Sequence, residues 1–322
     1  MSYFSGRSSK IAGTGKYLPG RVMTNFDFEK ILDTNDEWIV ERTGIKKRHF
    51  VEKGQQCSDL AYFAALEALK DAKISASEID MILVGTNSPE SMFPSVASKI
   101  QDRLGAKRAG AMDIHAGCTA SLSAMAVGVS GIASGMWNNV LVVGAEAFGE
   151  ILDWSDRGTC ILMGDGAGAC VLTVSDEDGP CFVSSKFISD GSKHDILAYA
   201  SAREGEPKTF QMKGHEVFKY VNKELPPFIS SFCEQSGILP EQVDLWVLHQ
   251  ANTRIIDSVF KRVGISTERT LLNLERYGNT SAASIMIALD ESMKAGLIKS
   301  GQRICFIAFG AGMTIGGMLY EA

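Results

Sequence analysis

Three residues of types that can support nucleophilic catalysis stand where buried elements are predicted to end. The first is Cys118, between the apolar segment GAMDI (110–114) and a helix pattern that starts at Thr119. A thiol at a helix N-terminus faces unpaired N–H groups and the positive end of the helix dipole. Both favour the thiolate, so we expect a pKa below the usual value of about 8.5. The alternative is a buried, inert cysteine.

His249 and Asn279 are the other two residues. His249 ends the apolar segment DLWVLHQAN (244–252), and catalytic groups gather at the carboxyl ends of strands. The alternative is a hydrogen-bonded core histidine. Asn279, in RYGNTSAAS (276–284), is alternatively an N-cap of the helix pattern that follows it. Together, a cysteine, a histidine and an asparagine at such junctions suggest acyl transfer through a thioester.

The glycine-rich segments give weaker indications. Neither MGDGAGA (163–169) nor GTGK (13–16) has the spacing of a phosphate-binding loop. FGAGMTIGG (309–317) allows a tight turn whose N–H groups could face an oxyanion, or it is simply a hairpin turn. His115 and Cys118 form an H-x-x-C pair without further ligands nearby, so we expect no metal site.

The elements that must position these residues are duplicated. EIDMILVGTN (78–87) and QVDLWVLHQAN (242–252) share a pattern and lie about half the chain apart. Each follows an amphipathic stretch. Each also precedes a small-residue helix pattern, CTASLSAMAVGVSGIASG (118–135) or NTSAASIMIALDESMKAG (279–296), and then an apolar strand, NVLVVGAE (139–146) or RICFIAFG (303–310). We therefore predict an α/β fold with halves 1–175 and 176–322 in one compact unit. The adjacent Pro226 and Pro227 should kink or split one helix.

Composition narrows the function classes. The 322 residues are 45% hydrophobic and 22% charged, with a net charge of −6, so nothing global favours nucleic acid. The seven cysteines include no C-x-x-C pair, which fits reduced thiols and a cytoplasmic protein. The N-terminal segment has no signal-peptide pattern, and the least charged stretch (114–145) is broken by polar residues, so no membrane span is expected.

At this point the sequence resembles a known family, the β-ketoacyl-acyl-carrier-protein synthase III condensing enzymes. The resemblance runs from about Lys10 to the C-terminus. Beside the Cys118 junction it rests on these segments: DTNDEWIVERTGIKKRH (33–49), DRGTCILMGDGAGACVL (156–172), WVLHQANTRII (246–256), ERYGNTSAAS (275–284) and AFGAGMTIGG (308–317). It implies a thiolase fold, a five-layered αβαβα sandwich, in a homodimer.

The resemblance also implies a reaction. Cys118 would take the acyl group from an acyl-CoA, with the N–H groups of Cys118 and Ala311 as the oxyanion hole. His249 and Asn279 would then stabilise the enolate formed when malonyl-acyl-carrier protein loses CO₂. The acyl group would finally pass to that carbanion, giving a 3-ketoacyl carrier without metal or redox cofactor. Acetyl-CoA is the default starter, and medium or branched acyl groups are the alternative.

The binding residues implied by the resemblance fall into three sets. The CoA set is Trp38, Arg42, Arg157, Thr34, Gly214, Phe218, Ala251 and Asn252. Alternatively, Trp38 is an aromatic anchor and Arg157 forms an ion pair with Asp153 or Asp156. A basic patch for the acidic carrier, or else a solvated face, is Lys213, Lys219, Arg254, Lys261 and Arg262. The acyl pocket would involve Phe93, which would close the partner subunit's pocket, together with Met163 and Met313.

Several positions depart from the family pattern and leave the starter open. The usual triple-glycine turn is Gly-Ala-Gly around Ala311, and Met163, Met313 and Ile315 replace the usual aromatic residues. Competing functions are a condensing enzyme of a specialised pathway, a simple acyltransferase and a non-catalytic dimer subunit. The intact Cys118, His249 and Asn279 disfavour the last. Thiolase is also disfavoured, because Cys305 lies within a predicted strand, before the glycine turn.

Overall fold

The backbone is built from strands and helices that alternate along most of the chain. The computed structural model describes residues 6–201 and 208–322. The strands are β1 (Ser9–Tyr17), β2 (Arg21–Thr24), β3 (Lys47–Phe50), β4 (Met81–Gly85), β5 (Gly110–Ile114), β6 (Asn139–Glu146), β7 (Gly166–Val174), β8 (Cys181–Ser189), β9 (Leu197–Ser201), β10 (Lys208–Met212), β11 (Leu245–Leu248), β12 (Arg303–Gly310) and β13 (Thr314–Glu321). The helices are α1 (Asn25–Glu29), α2 (Asp36–Thr43), α3 (Cys57–Ala72), α4 (Val96–Leu104), α5 (Ala120–Ala133), α6 (Gly214–Gln235), α7 (Thr253–Val263), α8 (Leu274–Tyr277) and α9 (Ser284–Lys294).

Two central sheets repeat one strand order. The first sheet runs β1–β7–β6–β4–β5, and the second runs β8–β13–β12–β11. In the first, β4 and β6 are parallel and β7 is antiparallel to both β6 and β1. In the second, β11 and β12 are parallel and β13 is antiparallel to both β12 and β8. Because β4 and β6 are parallel, the loops that follow them leave the same edge of the first sheet. The loops that follow the parallel strands β11 and β12 likewise leave one edge of the second sheet.

Helices cover both faces of each sheet. Helices α3 and α4 pack on the outer face of the first sheet, and α6 and α7 pack on the outer face of the second. Between the sheets, α5 and α9 share one core, which contains Leu122, Met125 and Val129 of the predicted small-residue helix. The layers are therefore helix, sheet, helix, sheet, helix, as expected. Strands buried on both faces explain the continuous apolar runs in β6 and β12.

Two glycines of the first sheet allow a close approach of backbone to backbone near the loops. A Cβ on Gly144 in β6 would clash with the carbonyl oxygen of Ala282, just before α9. A Cβ on Gly85 in β4 would clash with the backbone of Ser121 in α5. Glycine at these positions lets both central helices begin directly on the ends of the first sheet.

Of the two alternatives predicted for the prolines, a kinked or a split helix, the split is wrong. Helix α6 is not split, because it continues through Pro226 and Pro227. Proline 226 has no N–H for the carbonyl four residues earlier, at Asn222. That carbonyl instead accepts a hydrogen bond of 2.6 Å from Arg262 Nη1 in α7. The neighbouring helix thus supplies the donor that proline removes.

Two further expectations bear on the chain as a whole. The predicted boundary near residue 175 falls between β7 and β8 and stays a prediction. Within residues 6–201 and 208–322, none of the helices combines the length and the apolar character that a membrane crossing requires.

Candidate active site

Cys118 lies in the short loop that joins β5 to α5. Its side chain is half-buried and forms part of the wall of a cavity of about 170 Å³. The loop is held by Thr119, whose hydroxyl donates a hydrogen bond of 2.6 Å to the carbonyl of Ala116. The cavity is also lined by Asn87, His115, Gly117, Phe148, Ile151, Leu197, Ala198, Tyr199, Phe210, Ser281 and Ala311. The nucleophile therefore faces a mainly apolar space that can take an acyl group.

The turn between β12 and β13 packs against this loop. Gly117 has a φ of +56°, and a Cβ there would lie 2.5 Å from the Ala311 nitrogen. A Cβ on Gly310 would clash with the nitrogen of Cys118. The two amides predicted to form the oxyanion hole thus stand on facing segments of the backbone. Among the described non-glycine residues only Lys73 and Ser281 have a positive φ, so Ala311 fits its turn without that strain.

His249 follows β11 directly and is almost completely buried, with 1% of its surface exposed. Its N–H donates to Ile307, and its ring packs edge-to-face on Phe309 with centroids 5.1 Å apart. Burial lowers the pKa of His249 to about 3, so the imidazole is neutral near pH 7. The Nδ1 atom is 2.7 Å from Ser284 Oγ, which also accepts a hydrogen bond from the Gln250 N–H. The serine hydroxyl can therefore donate to Nδ1, which leaves the ring proton on Nε2 as a donor.

Asn279 is held by backbone hydrogen bonds at both sides. Its N–H donates to Leu162, its carbonyl accepts from Gly164, and its Oδ1 accepts a hydrogen bond of 2.8 Å from the Ser281 N–H. The alternative of a helix N-cap is wrong, because α9 begins only at Ser284 and is capped by Ala283. The asparagine instead stabilises the turn that precedes the helix.

Two segments connect the three predicted catalytic residues. The segment 309–311 runs from the ring that packs on His249 to the turn that packs on Cys118. The segment 279–284 carries Asn279, a hydroxyl that reaches Cys118 Sγ at 3.2 Å, and the hydroxyl beside His249. No direct hydrogen bond joins any two of the three side chains within the described ranges. The structure therefore gathers them around shared neighbours.

The expected acidic thiol is not found. Burial, together with a smaller contribution from the nearby carboxylate of Glu146, raises the pKa of Cys118 to about 12. The Ser281 hydroxyl and the N–H of Cys118 act in the opposite direction. Desolvation of the thiol raises its pKa by more than these two donors lower it. The prediction from the helix N-terminus did not include this desolvation.

Several polar residues at the site were not identified from the sequence. Ser281 is buried and touches the sulfur, Asn87 bonds Ser281 and the Gly117 carbonyl, and Glu146 is fully buried beneath Asn87. Ser284 orients His249. The sequence did offer one signal, the glutamate at the end of the apolar run NVLVVGAE. A carboxylate at a buried position indicates that several hydrogen-bond donors surround it.

The predicted CoA residues form a separate group near the surface. Two guanidinium groups lie near the Trp38 ring, with its centroid 5.8 Å from Arg42 and 5.3 Å from Arg157. Arg157 pairs with Asp33, at 3.8 Å, so the alternative of a pair with Asp153 or Asp156 is wrong. Asn252 Nδ2 donates to the Arg42 carbonyl, which connects α7 to α2. None of the eight predicted CoA residues lines the cavity at Cys118.

The remaining CoA residues differ in their surroundings. Thr34 has a buried hydroxyl for which the described residues offer no hydrogen-bond partner. Phe218 is 39% exposed on α6, and Gly214 is the first residue of that helix. Ala251 is half-buried at the start of the loop before α7.

The predicted acyl-pocket residues lie outside the cavity wall. Met163 and Met313 are each buried in an apolar cluster, and Phe93 is 81% exposed. The cavity is closed instead by Phe148 and Phe210, whose rings meet edge-to-face at 5.2 Å. The β9–β10 ribbon that carries Phe210 gave no sequence signal, because its alternation is short.

The predicted carrier patch is only partly available for docking. Lys213 pairs with Asp195 at 2.6 Å, and Arg262 is used to bond the Asn222 carbonyl. Lys219, Arg254 and Lys261 are exposed and, within the described part of the chain, take part in no ion pair. Within residues 6–201 and 208–322, no cluster of three or more His, Cys, Asp or Glu side chains is arranged to hold a metal ion.

The chain matches one family along both halves. Residues 112–191 match the model of 3-oxoacyl-[acyl-carrier-protein (ACP)] synthase III, and residues 233–322 match that of its C-terminal part. The β-ketoacyl-[acyl-carrier-protein] synthase III of Xanthomonas axonopodis pv. citri (strain 306) is 45% identical over 318 residues, 97% of each chain.

Solved structures agree with this match. The 3-oxoacyl-[acyl-carrier-protein] synthase III of Aquifex aeolicus VF5 is 43% identical, with a TM-score of 0.93 over 98% of this chain and 100% of that one. The priming β-ketosynthase of the R1128 polyketide biosynthetic pathway is 30% identical, with a TM-score of 0.93 over 100% and 98%. The matched segments include Cys118, His249 and Asn279. The chain therefore belongs to the β-ketoacyl-[acyl-carrier-protein] synthase III family, and its fold is the thiolase fold.

Proposed function

We propose that this protein catalyses the decarboxylative condensation of a short acyl-CoA with malonyl-acyl-carrier protein. The products are a 3-ketoacyl carrier, CoA and CO₂. The observation that carries the proposal is the packing of the Ala311 turn against Cys118 at the wall of an apolar cavity. That arrangement offers a nucleophile, paired amide donors and room for an acyl chain.

In the first half-reaction Cys118 attacks the thioester carbonyl of the acyl-CoA. The carbonyl oxygen gains negative charge in the tetrahedral intermediate, and the N–H groups of Cys118 and Ala311 stabilise it. CoA then leaves, and the acyl group stays on the sulfur. Such amide donors are worth about 100- to 1,000-fold in rate when one is removed.

In the second half-reaction a neutral His249 and Asn279 donate hydrogen bonds to the malonyl thioester carbonyl. Loss of CO₂ places charge on that oxygen, and the carbanion attacks the acyl thioester on Cys118. The lowered pKa of His249 supports this role, because a neutral imidazole with Ser284 on Nδ1 keeps its proton on Nε2. The reaction uses no metal and no redox cofactor.

The CoA nucleotide is assigned to the exposed face around Trp38, Arg42 and Arg157. A planar indole and two guanidinium groups suit stacking on adenine. Thr34, Gly214, Phe218, Ala251 and Asn252 are assigned to the pantetheine path between this face and the cavity.

The acidic carrier is assigned to the exposed lysine and arginine side chains on α6 and α7. Because Lys213 and Arg262 have partners of their own, the patch reduces to Lys219, Arg254 and Lys261. Arg254→Glu should raise KM for malonyl-carrier and leave acylation by acyl-CoA unchanged. Unchanged carrier kinetics would remove Arg254 from the docking surface.

A homodimer through β5 is also proposed. This strand ends the order of the first sheet in the described residues, and Met112 on it is 41% exposed. Met92 and Phe93, in the segment before α4, are 85% and 81% exposed, and the N–H of Val96 at the start of α4 donates to Asp113 in β5. An apolar edge of this kind favours pairing with a second copy, which would place Phe93 at the partner's acyl pocket.

The alternative is a related acyltransferase or a starter-unit enzyme of a specialised pathway. The same cysteine, histidine and asparagine would serve it, and the similar priming β-ketosynthase belongs to a polyketide pathway. The substrate decides between these reactions, not the arrangement of the catalytic residues.

The test compares turnover of acetyl-, isobutyryl- and octanoyl-CoA with malonyl-carrier, measuring CO₂ and the carrier-bound product. Acetyl-CoA should give the fastest release of CO₂ together with a ketoacyl carrier. A strong preference for octanoyl-CoA would reject the default starter. Acyl transfer without CO₂ release would reject the condensation. His249→Ala is the control, because it should keep acylation and lose condensation.

A further inference from the structure

Ser281 has an unusual backbone at a point of contact with the nucleophile. Its φ is +47°, in the left-handed region that non-glycine residues rarely adopt. Strain of this kind persists where the surrounding structure fixes it, and it clusters at functional sites. The side chain is buried, and its Oγ lies 3.2 Å from Cys118 Sγ with the hydroxyl as donor. The backbone therefore holds this hydroxyl on the sulfur.

A chain of hydrogen bonds continues behind Ser281. Asn87 Nδ2 lies 3.4 Å from Ser281 Oγ and donates to the Gly117 carbonyl at 2.9 Å. The same amide group donates to Glu146 Oε1 at 2.7 Å. The two N–H groups of this amide are directed to Gly117 and Glu146, and its nitrogen cannot accept a hydrogen bond, so the serine's own proton remains for the sulfur.

Glu146 fixes the far end of that chain. Its carboxylate accepts from the Asn87 N–H, from the Ser88 hydroxyl and from the Ala282 N–H. The last of these holds the residue that follows Ser281. The carboxylate thus orients both Asn87 and the strained turn.

We propose that Ser281 is a further catalytic residue of the first half-reaction, whose hydroxyl stabilises the Cys118 thiolate, and that Asn87 and Glu146 are positioning residues. The proposal rests on Cys118 being the nucleophile proposed above. It assigns a chemical task to a residue outside the cysteine, histidine and asparagine set.

Acylation of Cys118 exchanges one thioester bond for another and moves one proton. The S–H bond of Cys118 breaks, its sulfur forms a bond to the acyl carbon, and the bond from that carbon to the CoA sulfur breaks. The proton released by Cys118 ends on the CoA thiol. The Ser281 hydroxyl keeps its own proton throughout. Its hydrogen bond is strongest to the anionic sulfur, because a thioester sulfur is a weaker acceptor.

Two opposing effects set how much the loss of the Ser281 hydroxyl should slow the reactions of Cys118. A hydrogen bond to a charged group shifts the thiol pKa by about one to two units. A thiolate of lower pKa is also a weaker nucleophile, with a Brønsted coefficient of about 0.4–0.5. Losing the hydroxyl should therefore slow reactions of Cys118 about 3- to 10-fold at any pH below its pKa.

The experiment measures alkylation of Cys118 by iodoacetamide from about pH 7 to pH 9, resolved by peptide mass spectrometry. Ser281→Gly removes the hydroxyl and accepts the positive φ. Ser281→Ala is the second variant, and it keeps the Cβ. Both should react about 3- to 10-fold more slowly than the natural chain at each pH. Ser292→Ala is the matched control, because it removes a buried hydroxyl that donates to the Ala288 carbonyl within α9.

A structural role would give the opposite result. A loosened turn would expose the thiol, so an unchanged or faster alkylation in both Ser281 variants would overturn the proposal. Asn87→Ala should slow alkylation in the natural background and add nothing in Ser281→Gly. Additive effects would overturn the positioning role of Asn87.

Acylation separates this proposal from the proposed function. If the natural chain takes no acyl group on Cys118, the nucleophile assignment fails and the role of Ser281 fails with it. If Cys118 is acylated and alkylation ignores Ser281, only the present proposal fails.

Discussion

The surroundings of Cys118 and of His249 are built in opposite ways. Behind Cys118 a row of polar groups leads through Ser281 and Asn87 to the buried carboxylate of Glu146. Around His249 the neighbours are apolar, and the ring is packed on Phe309 with one hydroxyl, Ser284, on Nδ1. A nucleophile that must become an anion needs donors, whereas a histidine that must stay neutral needs a dry pocket.

One segment supplies the hydroxyl in both places. Ser281 lies in the short turn before α9, and Ser284, three residues later, is the first residue of that helix. One reaches the sulfur and the other reaches the imidazole. The two half-reactions therefore share a backbone and differ in the polarity around their functional groups.

The largest effect should come from removing the donor in the dry pocket. His249→Ala should lower the rate of condensation about 100- to 1,000-fold, the size found when an oxyanion donor is lost. Acylation of Cys118 should change little. The measurement is single-turnover kinetics of each half-reaction. If acylation falls as much as condensation, the separation of the two regions is wrong.

The next effect concerns stability in the polar region. Glu146→Gln replaces an acceptor of several N–H and O–H groups with an amide that brings donors of its own. The free energy of unfolding should fall by about 2–4 kcal/mol in urea denaturation. Glu150→Gln, at an exposed neighbouring position, is the control and should change it by less than about 0.5 kcal/mol. An equal effect in both variants would contradict a special role for the buried carboxylate.

A smaller effect should follow from the hydroxyl beside the histidine. Ser284→Ala removes the group that favours the proton on Nε2, so condensation should slow about tenfold, the worth of one hydrogen bond. Acylation should be unchanged. Ser284→Thr keeps a hydroxyl and should retain most of the activity. A loss confined to acylation would place Ser284 with Cys118 instead.

The smallest effect is the pH dependence of condensation. Because the pKa of His249 is about 3, its protonated form accumulates only as the pH falls toward that value. The rate for the acylated protein with malonyl-carrier should therefore stay level from about pH 8 to pH 5.5, a range in which an ordinary histidine titrates. A loss of activity with a midpoint near pH 6.5 would show that the pocket is wetter than the structure indicates.

Much of the fold could be predicted because its signals are periodic and local. The strands β5, β6 and β12 have the predicted bounds, and the repeated αβ pattern corresponds to the repeated strand order. The junction positions of Cys118 and His249 followed from apolar runs that end in polar loops. These features depend on neighbours in sequence, which a single chain displays.

The parts that could not be predicted depend on distant contacts. The raised pKa of Cys118 comes from burial under segments near residues 281 and 311, and helix position alone gave the opposite sign. Arg262 was assigned to the carrier because it is basic, although Pro226 had left a carbonyl that needs its donor. The role of Ser281 depends on a turn that only the assembled halves produce.

The most direct measurement locates the acyl group among the seven cysteines. The protein would be incubated with acetyl-CoA, digested and analysed by peptide mass spectrometry before and after malonyl-carrier is added. The account predicts one acetyl group on the Cys118 peptide, which disappears as CO₂ and a ketoacyl carrier form. An acetyl group on another cysteine, or one on Cys118 that malonyl-carrier does not remove, would contradict it.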